Sequence, residues 1–208
     1  MKYLFVRHAE SEKNINEITG GKGDKLTEKG ISQVEDFINS ININNDSVRA
    51  ICSDSIQAIE TCELIADYYK IGFEINADLR SLYFGTMTGM STKEMIEKCP
   101  EDYNRLTLWR EKLIDVSKLN LKGMEDPMSL WNRVMNFLST NYFKEKICIV
   151  VVTRSIMVLI YNYIEGHHPE QGNYMHYEFE YCDRICFDYD IESKHPVLDI
   201  NLTKLTYL

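Results

Sequence analysis

The stretch ICIVVVTRSIMVLIYNYIEG, residues 147–166, decides the fold. Its first six residues form a continuous apolar run rich in β-branched side chains, which is typical of a strand buried on both faces of a parallel sheet. The apolar pattern then continues over several helical turns, and Gly166 is a residue type that commonly ends a helix. A buried strand that leads directly into a helix predicts an α/β unit, with Thr153 and Arg154 at the carboxyl end of the strand.

The same alternation of strands and helices extends to both sides of this unit. Strands are predicted at KYLFV (2–6), SVRAICS (47–53) and FEI (73–75), and helices over 26–41, 54–70, 101–117 and 126–142. The tail from about Tyr174 to Leu208 is predicted to form two or three strands. The pattern predicts one domain over residues 1–208, folded as a three-layer α/β/α sandwich with a mostly parallel central sheet.

Composition narrows the classes of partner. The 208 residues carry a formal net charge of −9, which argues against a nucleic-acid partner. Binding of a small anion is still possible where cationic side chains cluster. The six cysteines include no C-x-x-C pair, so we expect neither a metal site nor disulfides. The apolar run after Met1 is too short for a signal peptide, and no segment has the length of a membrane span. We therefore expect a cytoplasmic protein with no membrane partner; the sequence does not indicate the oligomeric state.

Polar residues follow three of the predicted strands, and these strand ends are expected to meet. Arg7 and His8 follow the first strand, Ser53 follows the second, and Thr153 follows the strand at 147–152. Ligands of open α/β sheets bind beyond the carboxyl ends of the strands. An arginine fork grips phosphate oxygens through parallel hydrogen bonds, and a neutral imidazole is a nucleophile for phosphoryl transfer. Taken alone, however, Arg7 and His8 are equally compatible with a surface arginine and a helix-capping histidine.

Six segments in order along the chain carry a family resemblance. RHAESEKN (7–14) resembles the RHGE...N signature of the histidine phosphatase superfamily, the phosphoglycerate mutase-like group. Further segments are similar to that family's other motifs: GKGDKLTEKGISQ (21–33), ICSDSIQAIETCELI (51–65), LRSLYFGTMTG (79–89), MEDPMSLWNRV (124–134) and ICIVVVTRSIMVLI (147–160). The resemblance implies a phosphoglycerate mutase-like fold with a helical cap insertion, here over about 86–130, and no cofactor or metal.

The resemblance also implies a pocket with two arginines, two histidines and an acidic proton donor. Arg7, His8 and Asn14 match: His8 is expected to accept the phosphoryl group, and Arg7 and Asn14 to bind its oxygens. Gln57 stands where the second arginine is expected, and Ser81 where the glutamate is expected.

The second histidine of the family is missing. Its place falls on Arg154 if one residue is deleted after it, or on Thr153 if the segment runs without a gap. We expect Arg154 to replace the cation that Gln57 lacks; the alternative is a surface arginine at a helix N-terminus. Glu125 is a candidate substitute acid, with the alternative of an acid in the first turn of a helix.

The expected ligand is a small phosphorylated molecule or a phosphoprotein. Loss of a general acid typically costs ~10²–10⁴-fold in rate, so hydrolysis of phosphomonoesters or phosphoramidates through phospho-His8 is expected to be weak or lost. The alternative is a catalytically inactive module of the same fold that binds a phosphorylated ligand or a protein in a regulatory role.

Overall fold

One mixed sheet forms the centre of the molecule in the computed structural model, which describes residues 1–41, 43, 48–140, 147–190, 192–193 and 195–197. Its six strands lie in the order β3-β2-β4-β1-β5-β6. They are β1 (Lys2–Arg7), β2 (Val48–Cys52), β3 (Phe73–Ile75), β4 (Ile147–Val152), β5 (Arg184–Asp190) and β6 (His195–Val197). The first four are parallel, whereas β5 runs antiparallel to β1 and β6 antiparallel to β5.

The register of β1 and β4 places two of the predicted site segments side by side. Arg7 lies opposite Val152, so the two strands end at the same level. The backbone N–H of His8 donates to the carbonyl of Val152 at 2.9 Å, which extends the pairing one residue past the strand. His8 and Thr153 are therefore held next to each other at the carboxyl edge of the sheet.

Seven α-helices accompany the sheet in the described residues. They are α1 (Glu12–Ile15), α2 (Glu28–Ser40), α3 (Ile56–Tyr69), α4 (Thr92–Lys98), α5 (Pro100–Arg110), α6 (Pro127–Thr140) and α7 (Arg154–Ile164). The described part of the chain also contains three short 3-10 turns, at Ala77–Leu79, Gly85–Met87 and Val116–Lys118.

Alternate residues of each central strand point into two separate cores. Tyr3 and Phe5 of β1 pack in the core that includes the apolar faces of α6 and α7 and buried residues of α4 and α5. Leu4 and Val6 pack in the other core, against α2 and α3. A strand that is buried on both faces has apolar residues at every position, which explains the continuous apolar run in β4. The predicted α/β/α sandwich is confirmed.

Several predicted boundaries differ from the structure. The helix predicted over 101–117 ends at Arg110, and Lys112 adopts a left-handed backbone with φ 60°. In the tail, residues 174–181 have no regular secondary structure, β5 and β6 follow, and residues 198–208 lie outside the described part. The antiparallel β5 and β6 make the sheet mixed. No helix in the described ranges has both the length and the apolar character to cross a membrane.

Candidate active site

The loop after β1 is held against α3 by side-chain and backbone hydrogen bonds. The N–H of Ala9 donates to Oγ1 of Thr61 at 3.1 Å. That hydroxyl in turn donates to the carbonyl of Gln57 at 2.7 Å. Thr61 is fully buried, so these bonds form away from water. Together with the bond from His8 to β4, they fix His8 from both sides.

The hydrogen bonding of His8 determines which ring nitrogen is available. Nδ1 lies 2.7 Å from the carbonyl oxygen of Ala9, and because a carbonyl only accepts, Nδ1 carries the proton. Burial, followed by the nearby charge of Arg7, lowers the pKa of His8 to about 3. The imidazole is therefore neutral near pH 7, with the lone pair on Nε2, which is the form that acts as a nucleophile.

A cavity of about 460 Å³ lies at this edge of the sheet, and His8 is one of its lining residues. Of the residues predicted for the site, it is lined by Arg7, His8, Asn14, Gln57, Ser81, Thr153 and Arg154. Ser53, which follows β2, is not among the lining residues of the described chain; its hydroxyl lies 3.2 Å from that of Ser55. Near β2, the cavity is lined instead by Gln57, from α3.

Arg7 is almost fully buried beneath the tail segment. Its guanidinium lies 4.1 Å from the centre of the Tyr181 ring, and Nη1 donates to the carbonyl of Phe179. Its Nε is buried and has no hydrogen-bond partner in the described parts of the chain. Burial, followed by the charge of Arg154, lowers the pKa of Arg7 from its usual value. The guanidinium is thus held rigidly in the cavity lining, with its charge only partly compensated.

Arg154 is the first residue of α7 and is already paired in this structure. Its Nη1 donates to a carboxylate oxygen of Glu178 at 2.8 Å. Nε2 of His176 lies 2.8 Å from the other oxygen of the same carboxylate. The bond from His176, together with the charge of Arg154, lowers the pKa of Glu178 to about 2. Both Thr153 and Arg154 line the cavity, and Arg154 does so as half of an ion pair.

Ser81 belongs to a group of three hydroxyls at the cavity. Its Oγ lies 3.2 Å from Oγ of Ser155, which also lies 3.1 Å from Oγ1 of Thr153. The N–H of Leu82 donates to Oγ of Ser155 at 3.1 Å. These hydroxyls are neutral at pH 7 and can form hydrogen bonds to a ligand, but they do not supply a proton as a carboxylic acid does.

The two amide side chains that line the cavity each have an oxygen that already accepts hydrogen bonds. Oε1 of Gln57 accepts from the N–H of Asp24 at 3.3 Å. Oδ1 of Asn14 accepts from Oγ of Ser11 at 2.8 Å and from the N–H of Ser11 at 3.1 Å. Because the oxygens are engaged, the NH₂ groups remain as donors for an anion. Gln57 therefore offers hydrogen bonds at the family's arginine position, but no charge.

The structure places Glu125 outside this cavity, contrary to the expectation of a substitute acid there. Its two carboxylate oxygens accept from Nε and Nη2 of Arg133 at 2.9 and 3.0 Å. It also accepts from the N–H of Tyr83 at 3.3 Å. It lines a second cavity, of about 470 Å³, on another part of the molecule. The bidentate pairing with Arg133 on α6 is the physical reason, since it engages both carboxylate oxygens.

Several cavity residues were not predicted from the sequence. Lys13, Arg110, His176, Glu178 and Tyr181 all line the cavity. Three of them belong to the irregular segment 174–181, whose position depends on β5 pairing antiparallel to β1. The sequence carries no local signal for that pairing partner. For Arg110 the sequence allows two interpretations, a solvated helix face and a contact with the non-phosphate part of a ligand.

The cavity shows no metal-binding cluster. Within the described residues, no three His, Cys, Asp or Glu side chains come together as ligands for an ion. The charges that act on His8 are cations, because Arg7, Lys13 and Arg154 all lower its pKa. This arrangement suits a phosphate or another compact anion.

Comparisons with known proteins identify the family and the fold. Residues 3–199 match the model of the histidine phosphatase superfamily, branch 1. Phosphoserine phosphatase 1 of Hydrogenobacter thermophilus is 29% identical over 140 residues, which is 66% of this chain and 63% of that protein, so the match spans less than two thirds of the relative.

Two solved structures share the fold at lower identity. The alpha-ribazole phosphatase from Shigella flexneri has a TM-score of 0.73 at 17% identity, covering 95% of this chain and 94% of that one. Bacillus stearothermophilus YhfR has a TM-score of 0.76 at 15% identity, covering 95% of each chain.

Proposed function

Because the chain belongs to the histidine phosphatase superfamily, we propose that it binds a phosphorylated small molecule or phosphoprotein and hydrolyses it weakly through phospho-His8. Turnover is restricted to leaving groups that depart with little proton assistance, such as acyl phosphates and phosphoramidates. Alkyl phosphates bind but react very slowly.

The observation that carries this proposal is the state of His8. Its Nδ1 is engaged by the carbonyl of Ala9 at 2.7 Å, and the ring lines a cavity that also contains Arg7. A buried, neutral imidazole with Nε2 available beside a buried guanidinium has little structural purpose, since it costs stability. It is the arrangement that an attack on a bound phosphoryl group requires.

The reaction follows from the placement of the donors. Arg7, Gln57 and Asn14 hold the non-bridging oxygens of the phosphoryl group, while Nε2 of His8 attacks phosphorus. The N–P bond forms as the bond from phosphorus to the leaving atom breaks, and the leaving group takes that electron pair. Water then attacks the phosphohistidine and releases phosphate, which regenerates His8.

Restriction to good leaving groups follows from the missing acid. Ser81 has no acidic proton to give, and the carboxylate of Glu178 is ionised, with its pKa lowered to about 2. A leaving oxygen must therefore depart as an anion. A carboxylate does so readily, whereas an alkoxide does not, and general acid catalysis is worth ~10²–10⁴-fold.

A second candidate function is an inactive binding module. The observation that favours it is the ion pair between Arg154 and Glu178, at 2.8 Å. Arg154 is the cation expected to replace the charge lost at Gln57, and in this ion pair it is already bound to a carboxylate. In that case the cavity holds a phosphorylated ligand without turnover.

Hydrolysis of three phosphates by wild type and His8→Gln tests the proposal. Acetyl phosphate, p-nitrophenyl phosphate and glycerol phosphate span good to poor leaving groups. We expect rates to fall steeply in that order, and the two measurable ones to vanish in His8→Gln. His195→Gln is the matched control, because His195 is an exposed residue on β6.

Trapping of an acid-labile phosphohistidine from acetyl phosphate provides the second readout. Rates in His8→Gln equal to those of wild type contradict the proposal. Binding of phosphate or vanadate with no turnover of any substrate establishes the inactive module instead.

A further inference from the structure

We propose that Glu178 competes with the phosphorylated ligand for Arg154. The carboxylate holds the guanidinium until a phosphoryl oxygen of the ligand takes its place. Glu178 thereby determines how tightly the cavity binds its ligand. The inference rests on the proposed function and concerns the regulation of that same site.

The ion pair lies in the wall of the cavity that contains His8. Arg154 and Glu178 both line that cavity, and Nη1 of Arg154 donates to a carboxylate oxygen of Glu178 at 2.8 Å. Arg154 directly follows Thr153, which is held next to His8 at the end of β4. Burial lowers the pKa of Arg7 and of His8, and the charge of Arg154 lowers both further. The guanidinium of Arg154 is therefore within electrostatic reach of an anion bound at His8.

The backbone is anchored on both sides of Glu178, which keeps its carboxylate at the cavity. On one side, the N–H of Met175 donates to Oδ1 of Asn162 at 3.0 Å, and Nδ2 of Asn162 donates to the carbonyl of Met175 at 2.8 Å. On the other side, the carbonyl of Phe179 accepts from the side chain of Arg7. Both Asn162 and Phe179 are buried. Exchange of the ion pair therefore proceeds by rotation of side chains, without movement of the segment.

The ion pair is exposed enough to be replaced by a ligand. The side chain of Arg154 is 39% exposed and that of Glu178 is 63% exposed. Ion pairs in such contact with water contribute little to stability, because the solvent screens the two charges. A phosphoryl group carries more negative charge than a carboxylate and offers three acceptor oxygens to a guanidinium. Replacement of the carboxylate by a phosphoryl oxygen is therefore favourable at Arg154.

His176 gives Glu178 a partner that remains after the exchange. Nε2 of His176 lies 2.8 Å from the second carboxylate oxygen. Burial lowers the pKa of His176, so the ring is neutral near pH 7, and because a carboxylate only accepts, Nε2 carries the proton. The imidazole is itself fixed, since it is buried and its centre lies 4.7 Å from that of the Trp109 ring. The carboxylate that Arg154 releases thus keeps one hydrogen bond.

Phosphate binding in a double-mutant cycle tests the inference without depending on turnover. The affinity for inorganic phosphate is measured by calorimetry, at constant pH and ionic strength, in wild type, Glu178→Gln, Arg154→Gln and the variant with both changes. We expect Glu178→Gln to bind phosphate about 10-fold more tightly than wild type, because the guanidinium is then available for a charge-assisted hydrogen bond. In the Arg154→Gln background, the same change is expected to raise the affinity by at most about threefold, since only repulsion is removed.

Glu180→Gln is the matched control for net charge. Glu180 is exposed, belongs to the same segment and also lines the cavity, so its loss removes the same charge two residues away. We expect Glu180→Gln to raise the phosphate affinity by at most about threefold, because the ion pair of Arg154 stays in place.

Two outcomes overturn the inference. One is a phosphate affinity of Glu178→Gln that does not exceed that of wild type. The other is a gain that is equally large in the Arg154→Gln background or in Glu180→Gln, which would reduce the effect to net charge. Both leave the proposed function standing, since wild type still binds phosphate. Wild type that binds no phosphate, or binds it no more tightly than Arg7→Gln does, instead removes the proposed function together with this inference.

Discussion

At the scale of single residues, the proposed chemistry of the cavity depends on a histidine that burial keeps neutral. An exposed imidazole changes its charge near pH 6.5. His8 is 3% exposed and lies beside Arg7, and both conditions disfavour the protonated ring. The neutral form is therefore the resting form, and it needs no neighbouring base to create it.

The titration of His8 is a direct prediction of this burial. Because its pKa is lowered to about 3, the ring stays neutral from pH 7 down to pH 5. NMR shifts of the His8 imidazole, assigned by their disappearance in His8→Gln, are expected to be constant over that interval. A titration midpoint of the His8 imidazole near pH 6.5 would show that the ring is not buried beside Arg7 as it is in the structure.

Ser81 is the residue at which catalysis of poor substrates is expected to be recoverable. Ser81→Glu places a carboxyl group at the cavity, where the family has its acid. Hydrolysis of glycerol phosphate is expected to rise, by at most ~10²–10⁴-fold. Ser81→Gln has the same size without the acidic proton, and is expected to bring no gain. Equal rates in the two variants would mean that the missing acid does not limit turnover.

At the scale of elements, the loop before α2 fixes the carboxamide of Gln57. Gly23 has φ +95°, and a Cβ built on it lies 1.8 Å from Oε1 of Gln57. The loop therefore approaches α3 so closely that only glycine fits without displacing Gln57. The backbone conformation is also one that other residues rarely adopt.

Gly23→Ala is expected to lower the free energy of unfolding by about 1–2 kcal/mol and to weaken phosphate binding, because Gln57 must move. Urea unfolding and calorimetry with phosphate measure the two effects. Gly72→Ala is the control: its Cβ meets no atom within 4 Å in the described structure, and we expect changes within ~0.5 kcal/mol. Unchanged phosphate affinity in Gly23→Ala would show that Gln57 does not bind the phosphate.

Arg133 connects α6 to the segment that carries Ser81. Its Nη1 donates to the carbonyls of Asp78 and Arg80 at 2.6 and 2.7 Å, and its other nitrogens bind Glu125. The side chain is largely buried, at 10% exposure. Removal of one partner from such a pair leaves the other charge uncompensated.

We expect Arg133→Met to lower the free energy of unfolding by about 3–5 kcal/mol in urea titrations. Lys98→Met breaks the exposed pair with Glu94, and its expected cost is below ~1 kcal/mol. Similar losses of unfolding free energy in the two variants would show that the buried pair stabilises the fold no more than the exposed pair does.

The same elements show how far sequence reasoning reaches. The strand at 147–152 and the helix after it were predictable because a buried strand must be apolar at every position. Arg7 and His8 of the segment RHAESEKN (7–14) were predictable because they directly follow a strand. His176 and Glu178 were not, since they lie in an irregular segment brought to the cavity by long-range pairing. Glu125 was placed wrongly because sequence does not reveal its partner Arg133.

At the scale of the whole molecule, the neutral state of His8 links the site to stability. The unfolded chain binds a proton at this residue below pH 6.5, but the folded chain does so only near pH 3. The unfolded state therefore gains protons first as the pH falls, and the free energy of unfolding decreases through that interval. The burial that keeps the ring neutral thus makes the fold acid-sensitive.

This sensitivity is measurable by urea unfolding at pH 7 and pH 4.5. Wild type is expected to lose about 2 kcal/mol more than His8→Gln between the two pH values. Other groups, such as His176, titrate in both proteins and cancel in the comparison. Equal losses in wild type and variant would contradict the lowered pKa of His8.

The contact between Arg7 and the tail has a consequence for biosynthesis. The carbonyl of Phe179 that receives the Arg7 side chain lies 172 positions further along the chain. At ~5–20 residues per second, a ribosome needs about 10–30 s to travel that distance. Throughout that time the nascent polypeptide has its first strand but not the acceptor for its arginine. The buried surroundings of the Arg7 guanidinium are therefore completed only after the segment around Phe179 has been synthesised.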